Sequence, residues 1–232
     1  MLNETLNLRK EKVLDLKKKL NIPDQKAQVV LCLDYSGSMS SLYRDGSVQE
    51  LVERVLPLGL AFDDNGEVDF YLFENGCTKL PENITMGNVD GYIDSKVIGK
   101  YGMGGTEYAP VIKSVVKEFS NLTGIYKKSY GKMNLPVYVI FITDGDNRDH
   151  NETETIIRDA SNTGIFFQFV GIGDATFDFL KKLDTMSGRN IDNANFFTVK
   201  RLTEKNDDEL YALLLAEFPS FVRGARAKGM IV

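Results

Sequence analysis

The sequence predicts an α/β fold: a doubly wound, mostly parallel sheet of about six strands with one antiparallel edge strand and helices on both faces. Three observations predict it. Apolar runs at 29–33, 137–142 and 165–170 are too continuous for strands with one wet face and read as strands buried on both sides. Segments with helical periodicity separate these runs, and such alternation implies right-handed crossovers. The runs at 29–33 and 137–142 end in Asp34 and in Thr143-Asp144-Gly145. That carboxyl edge is where open α/β sheets bind ligands.

The 232 residues suffice for one full domain with a sizeable core. A net charge of -5 argues against a nucleic-acid partner, which needs a basic footprint. Two cysteines, Cys32 and Cys77, lack metal-ligand or CxxC spacing and read as packed thiols of a reduced compartment. The first residues carry no apolar signal-peptide core, and no stretch approaches the length of a membrane span. The expectation is a soluble, cytoplasmic protein without a membrane span.

In chain order, residues 8–20 place Val13, Leu16 and Leu20 at helical spacing among lysines that read as a solvated face, and Pro23 stops the pattern. Residues 1–25 thus form an amphipathic helical extension before a main domain at 26–222. After the strand at 28–33, residues 48–62 carry a helical period with Pro57 inside it, which predicts a kink or a restart. A turn cluster at 63–66 leads to a strand at 68–73. Glu74-Asn75-Gly76 then reads as a hairpin turn into an antiparallel edge strand at 77–80. Residues 81–105 read as a glycine-punctuated loop. A helix follows, with Pro110 suited to its first turn, and then a Lys-rich connection at 120–134.

The strand at 136–143 is the most apolar and should be central. A helix at 149–162 has Glu152 three residues after Asp149, as in a capping box. A strand at 165–171, a helix near 176–186, a strand at 195–199, a last helix at about 206–218 and a basic tail at 223–232 complete the reading.

Asp34, Ser36 and Ser38 alternate with Tyr35 and Gly37, so one carboxylate and two hydroxyls can curl toward one point. Such hard oxygen donors suit Mg²⁺ or Mn²⁺ and suit Zn²⁺ poorly. Thr106 follows the glycine-rich loop, and Asp144 follows the central strand. Neighbouring strand ends lie about 5 Å apart, so these loops can meet. Gly104 and Gly105 allow a close backbone approach.

Asp34-Tyr35-Ser36-Gly37-Ser38, Gly104-Gly105-Thr106 and Ile142-Thr143-Asp144-Gly145 resemble, in order and spacing, the metal-ion-dependent adhesion site of von Willebrand factor A-type domains. Together with the helix at 8–20, the run Gly104 to Val111 is similar to the bacterial tellurium-resistance and stress-response branch of that family. The resemblance covers nearly the whole chain. It implies a Rossmann-like fold in which Ser36, Ser38 and Thr106 donate hydroxyls to a Mg²⁺ ion, with Mn²⁺ or Ca²⁺ as alternatives. Asp34 and Asp144 would hold the ion directly or through water. Neutral ligands leave the ion's charge under-compensated, so an Asp or Glu of a partner protein would complete its shell, within a multiprotein stress-response complex.

The rival reading is a metal-dependent hydrolase or phosphotransferase using Asp34. A haloacid-type phosphatase would want a second carboxylate at position 36, where Ser36 stands. A serine hydrolase would want Gly-x-Ser-x-Gly and a histidine base, but the sole histidine, His150, lies outside the motif. Gly171-Ile172-Gly173 starts like a dinucleotide loop, yet Thr176 stands where a third glycine belongs. A non-catalytic binding module is therefore expected, and a purely structural module that binds no ion is the third possibility.

Overall fold

The computed structural model describes residues 2–62, 66–120, 133–201 and 204–232. Most of the turn cluster (63–65) and of the Lys-rich connection (121–132) lies outside the described residues. The chain runs through α1 (Leu2–Lys19), β1 (Gln28–Asp34), a one-turn 3₁₀ helix (Gly37–Met39), α2 (Ser40–Arg44), α3 (Ser47–Phe62) and β2 (Glu67–Phe73). It continues through β3 (Cys77–Lys79), β4 (Ile84–Thr85), α4 (Tyr92–Lys96), α5 (Ala109–Phe119) and β5 (Val137–Thr143). The last elements are α6 (His150–Ala160), β6 (Ile165–Ile172), α7 (Asp178–Thr185), β7 (Ala194–Val199), α8 (Asp207–Leu214) and α9 (Phe218–Ala227).

The strand order is β3-β2-β1-β5-β6-β7. All pairings from β2 through β7 are parallel, and β3 is the expected antiparallel edge, with Phe73 opposite Cys77 and Tyr71 opposite Lys79. The two-residue β4 also pairs antiparallel with β2, and together with α4 it gives structure to a stretch whose sequence reads only as loop. β1 is flanked by β2 on one side and β5 on the other. The chain therefore leaves β1 and β5 in opposite directions, which opens a crevice between their carboxyl ends. β5 is buried along its whole length, as its apolar sequence requires.

Four local expectations need correction. α1 begins at Leu2, and one of its lysines is not on a solvated face: Lys17 is buried, donates to the carbonyls of Gln25 (2.8 Å) and Ala61 (2.7 Å), and lies 4.4 Å from the Phe62 ring centroid. α3 runs through Pro57 as one helix. Proline removes the N–H that would bond the Glu53 carbonyl, and Arg9 Nη1 from α1 donates to that oxygen at 3.3 Å. Tyr211 from α8 donates to the next carbonyl, Arg54, at 3.0 Å. The neighbours thus supply the partners that would otherwise favour a break. The single last helix is two, because Pro219 lies in the first turn of a new one. Arg223 and Arg226 therefore lie on α9 instead of trailing from the domain, Lys228 caps it, and Met133 forms an isolated bridge with Ile231 through the Met230 carbonyl and the Val232 N–H.

α1 is tied to the rest by Asp207 at the start of α8, which accepts from Arg9 Nε (3.1 Å) and Arg54 Nε (3.0 Å). The Arg54 side chain is 4 % exposed and that of Asp207 21 %. Taking the carboxylate from two guanidiniums in that setting is costly, whereas the exposed Lys12–Asp208 pair beside it contributes little. Urea unfolding should show Asp207→Ala destabilised by about 2–3 kcal/mol and Asp208→Ala by less than about 1 kcal/mol. Equal losses would mean that the burial of Arg54 does not set the strength of this clasp.

Candidate metal centre

The crevice between β1 and β5 is built around a buried carboxylate. Asp34 closes β1 with no exposed surface. Its Oδ1 accepts from the Ser36 backbone N–H at 2.8 Å and its Oδ2 from the Thr143 hydroxyl at 2.6 Å. The Asp34 carbonyl accepts from Tyr43 (2.9 Å), whose ring packs edge-on against Tyr35. Burial is the main influence on this carboxyl and raises its pKa to about 6; the bonds from Ser36 and Thr143 pull the other way, and the nearby charge of Asp144 adds to the rise. Asp144 is itself raised by burial, partly offset by the bond from Ser38.

Above Asp34 the 3₁₀ turn folds the chain back and lays out a row of oxygens. Ser38 Oγ donates to Asp144 Oδ1 at 2.8 Å, and Ser36 and Ser38 hydroxyls lie 3.0 Å apart. Since Ser38 has one hydroxyl proton and gives it to Asp144, Ser36 is the donor between the two serines. In an octahedron of oxygens about 2.1 Å from a small cation, adjacent oxygens are about 3 Å apart. The observed 3.0 and 2.8 Å separations, those of ordinary O–H···O hydrogen bonds, match that edge, so an ion could replace the shared protons without moving the oxygens apart.

The third loop reaches the same place through its backbone. Gly37 N–H donates to the Gly104 carbonyl at 3.0 Å, and Ser36 and Gly104 form a parallel bridge. A side chain at 104 would displace the Glu74 carboxylate and one at 105 the Asn75 amide that holds the Gly105 N–H, so both glycines let the loops approach closely. Thr106 is fixed by its neighbours: Gly105 N–H donates to Asn75 Oδ1 (3.2 Å), Glu107 N–H to the Glu74 carbonyl (2.8 Å), and the Thr106 carbonyl accepts from Arg148 N–H (3.2 Å). The Thr106 hydroxyl has no hydrogen bond among the described residues. The structure thus joins Asp34, Ser36, Ser38 and Asp144 directly, and brings the loop carrying Thr106 against Ser36. Among the described residues no three or more His, Cys, Asp or Glu side chains converge on a common point. A cation here would be met by hydroxyls and two carboxylates, the chemistry of a hard divalent ion.

Three residues support this arrangement without standing out in the sequence. Thr143, fully buried, orients Asp34; the only signal for it is a hydroxyl at the inner end of an otherwise apolar strand. Tyr108 packs on Phe73 and Phe141 and donates to the Gly145 carbonyl at 2.6 Å, fixing the loop after β5. Asp149 makes no capping box with Glu152. Its carboxylate accepts instead from Tyr108 N–H (3.0 Å) and Ala109 N–H (2.6 Å), so it caps α5 from the neighbouring loop, and Glu152 pairs with Lys113. His150 stacks on Phe179 and bonds Asp146 at 2.8 Å, so it is only partly open to solvent. At Gly171 the Phe177 ring fills the space a side chain would need, which gives that glycine a packing role.

No helix among the described residues is long and apolar enough to cross a membrane. Comparison with known proteins agrees with the fold. A family model for the vWA domain found in the TerF C terminus matches residues 26–231. The uncharacterized protein YcbR of Bacillus subtilis (strain 168) is 36% identical over 230 residues, covering 98% of this chain and 90% of that protein. The human collagen alpha-5(VI) chain is 25% identical over 173 residues, 69% of this chain and 6% of that one. Among solved structures, proximal thread matrix protein 1 from the mussel byssus superposes with a TM-score of 0.60 at 20% identity, over 83% of this chain and 47% of that one. This chain therefore spans about half the length of that structure. Another crystal structure of the same mussel protein, with a zinc-occupied MIDAS motif, gives a TM-score of 0.56. From its fold, its full-length likeness to YcbR and the family match, the chain belongs to the von Willebrand factor A domains of the TerF-like kind.

Proposed function

We propose that this protein is a cytoplasmic, non-catalytic interaction domain that captures an acidic residue of a partner protein through Mg²⁺. The ion is held by Ser36, Ser38 and Thr106, with Asp34 and Asp144 as direct or water-mediated ligands. The observation that carries the reading is the row of Ser36, Ser38 and Asp144 oxygens at octahedral-edge spacing above a buried carboxylate. When bound, the ion supplies a Lewis-acidic position for one carboxylate oxygen of the partner. The chain's own residues do the rest. Ser36 and Ser38 would offer their hydroxyl oxygens, Thr143 holds Asp34, and Tyr108 holds the Asp144 loop. A metal-occupied motif in the mussel neighbour supports a divalent ion, and the hard oxygen set favours Mg²⁺, with Mn²⁺ or Ca²⁺ as substitutes. The tellurium-resistance or stress-response setting is supported by the match to the domain of TerF.

Immobilised wild-type protein should retain partners from a cell lysate when Mg²⁺ is present and release them when a chelator is added. Asp34→Ala and Thr106→Ala should keep a native circular-dichroism spectrum and retain none. Retention that survives both the chelator and the substitutions would remove the metal from the function.

The raised pKa of Asp34 gives two further expectations. Mg²⁺ must displace the proton, so its affinity in calorimetry should fall by up to about tenfold per unit as pH drops below about 6. Stability without metal follows the opposite sign from an ordinary ion pair. The folded pKa of about 6 lies above the ordinary aspartate value of 3.8, so the cost of ionising Asp34 in the fold is absent at low pH, grows between 3.8 and 6, and is complete above 6. That cost is about 3 kcal/mol. In chelator, Asp34→Asn should therefore be more stable than wild type by up to about 3 kcal/mol at pH 7.5, with the gap closing toward pH 4. A variant less stable than wild type at both pH values would show that Asp34 is structural in its charged form.

A further inference from the structure

Beside the candidate metal centre an acidic side chain stands on one rim and an arginine on the other. On the β2 side Glu74 lies against Gly104, its carboxylate accepting from the Asn75 N–H. On the β5 side stands Arg148. Its backbone N–H is bonded to the Thr106 carbonyl at 3.2 Å, and its guanidinium carbon lies 3.6 Å from the point where a Gly105 Cβ would be. A larger residue at 105 would crowd it. Arg148 is exposed and has no ion pair or side-chain hydrogen bond among the described residues. The nearest carboxylates are otherwise engaged: Asp146 with His150 and the Asn147 N–H, Asp149 with the first turn of α5. The other arginine near the serines, Arg44, bends back onto the carbonyl and hydroxyl of Ser40.

Resting on the proposed metal-dependent capture, we propose that the partner docks with two acidic side chains, one for the metal and a second for Arg148. The planar guanidinium presents paired donors to a carboxylate. Its backbone hydrogen bond to Thr106 places it within reach of a side chain close in sequence to the one on the metal. Glu74 on the opposite rim repels a second acid placed there, so the pair of rims also sets the direction in which an acidic segment lies. Met103, exposed immediately before Gly104, adds an apolar contact to the same surface.

The test uses the full chain with Mg²⁺ and capped Gly/Ser peptides containing either one Glu or two Glu placed adjacent, one apart or two apart. Binding is followed by NMR shifts of the Gly104, Gly105 and Thr106 amides and of the Arg148 Nε–H. Wild type should bind the best two-Glu peptide about fivefold tighter than the one-Glu peptide. Arg148→Ala should erase that preference while leaving one-Glu binding and Mg²⁺ affinity unchanged, Arg148→Lys should restore part of it, and Arg44→Ala should leave it intact. If the one-Glu peptide binds in a Mg²⁺-dependent way but the preference is absent, survives Arg148→Ala, or disappears with Arg44→Ala, the second acidic contact is wrong and metal capture stands. If no peptide shifts the site amides in a Mg²⁺-dependent way, metal capture falls and the Arg148 contact falls with it.

Discussion

The fold is organised around a charge that burial penalises. Asp34 sits where β1 parts from β5 while still paired with β2, and its carboxylate has no solvent to stabilise it. Two donors, the Ser36 N–H and the Thr143 hydroxyl, satisfy its oxygens, but neither carries a positive charge. Hydrogen bonds alone leave its pKa well above that of a free carboxyl. A divalent cation a few ångströms above would reverse the balance, because an adjacent positive charge favours the ionised form. On the proposed reading, a bound cation would return stability that burial of Asp34 withholds, as a binding function often does for a locally unfavourable arrangement.

That arrangement holds its shape without the ion. The three loops are joined by backbone bonds from Gly37 to Gly104, Glu107 to Glu74 and Arg148 to Thr106, and by the Asp149 carboxylate that caps α5 from the loop after β5. Each bond ties residues that come from different strands. Little order therefore has to be gained on binding, which preserves affinity that a floppy site would lose. The aromatic floor of Phe73, Tyr108 and Phe141 does the same from below, fixing the strand ends from which the loops start.

What the sequence makes legible is local, and what it hides depends on distant partners. The strands are readable because continuous apolar runs have few other uses, and the loop oxygens because Asp34-x-Ser36-x-Ser38, Thr106 and Asp144 each follow a strand or glycine turn. Pro57 reads as a break because its effect on the helix is local, whereas the groups that relieve it, Arg9 and Tyr211, lie on α1 and α8. Lys17 reads as solvated for the same reason, since the Gln25 and Ala61 carbonyls that hold it belong to other segments. Asp149 is placed correctly as a cap but on the wrong helix, because its spacing to Glu152 says nothing of α5 packing alongside. The split between α8 and α9 was within reach: Pro219 marks it.

Charge gives the last step of the argument. The chain carries a net charge of -5, so an acidic partner is repelled by the average surface and gains nothing from long-range steering. At physiological salt that repulsion is screened beyond about 8 Å, and the contact is decided by what lies at the rim. Without a cation that rim sets Asp144, Glu74 and the buried charge of Asp34 against Arg148. A divalent ion would bring that sum to zero at the point of contact. Capture of a carboxylate there would then depend on the ion far more steeply than one coordination bond suggests, since the same event would remove a repulsion and supply the ligand position.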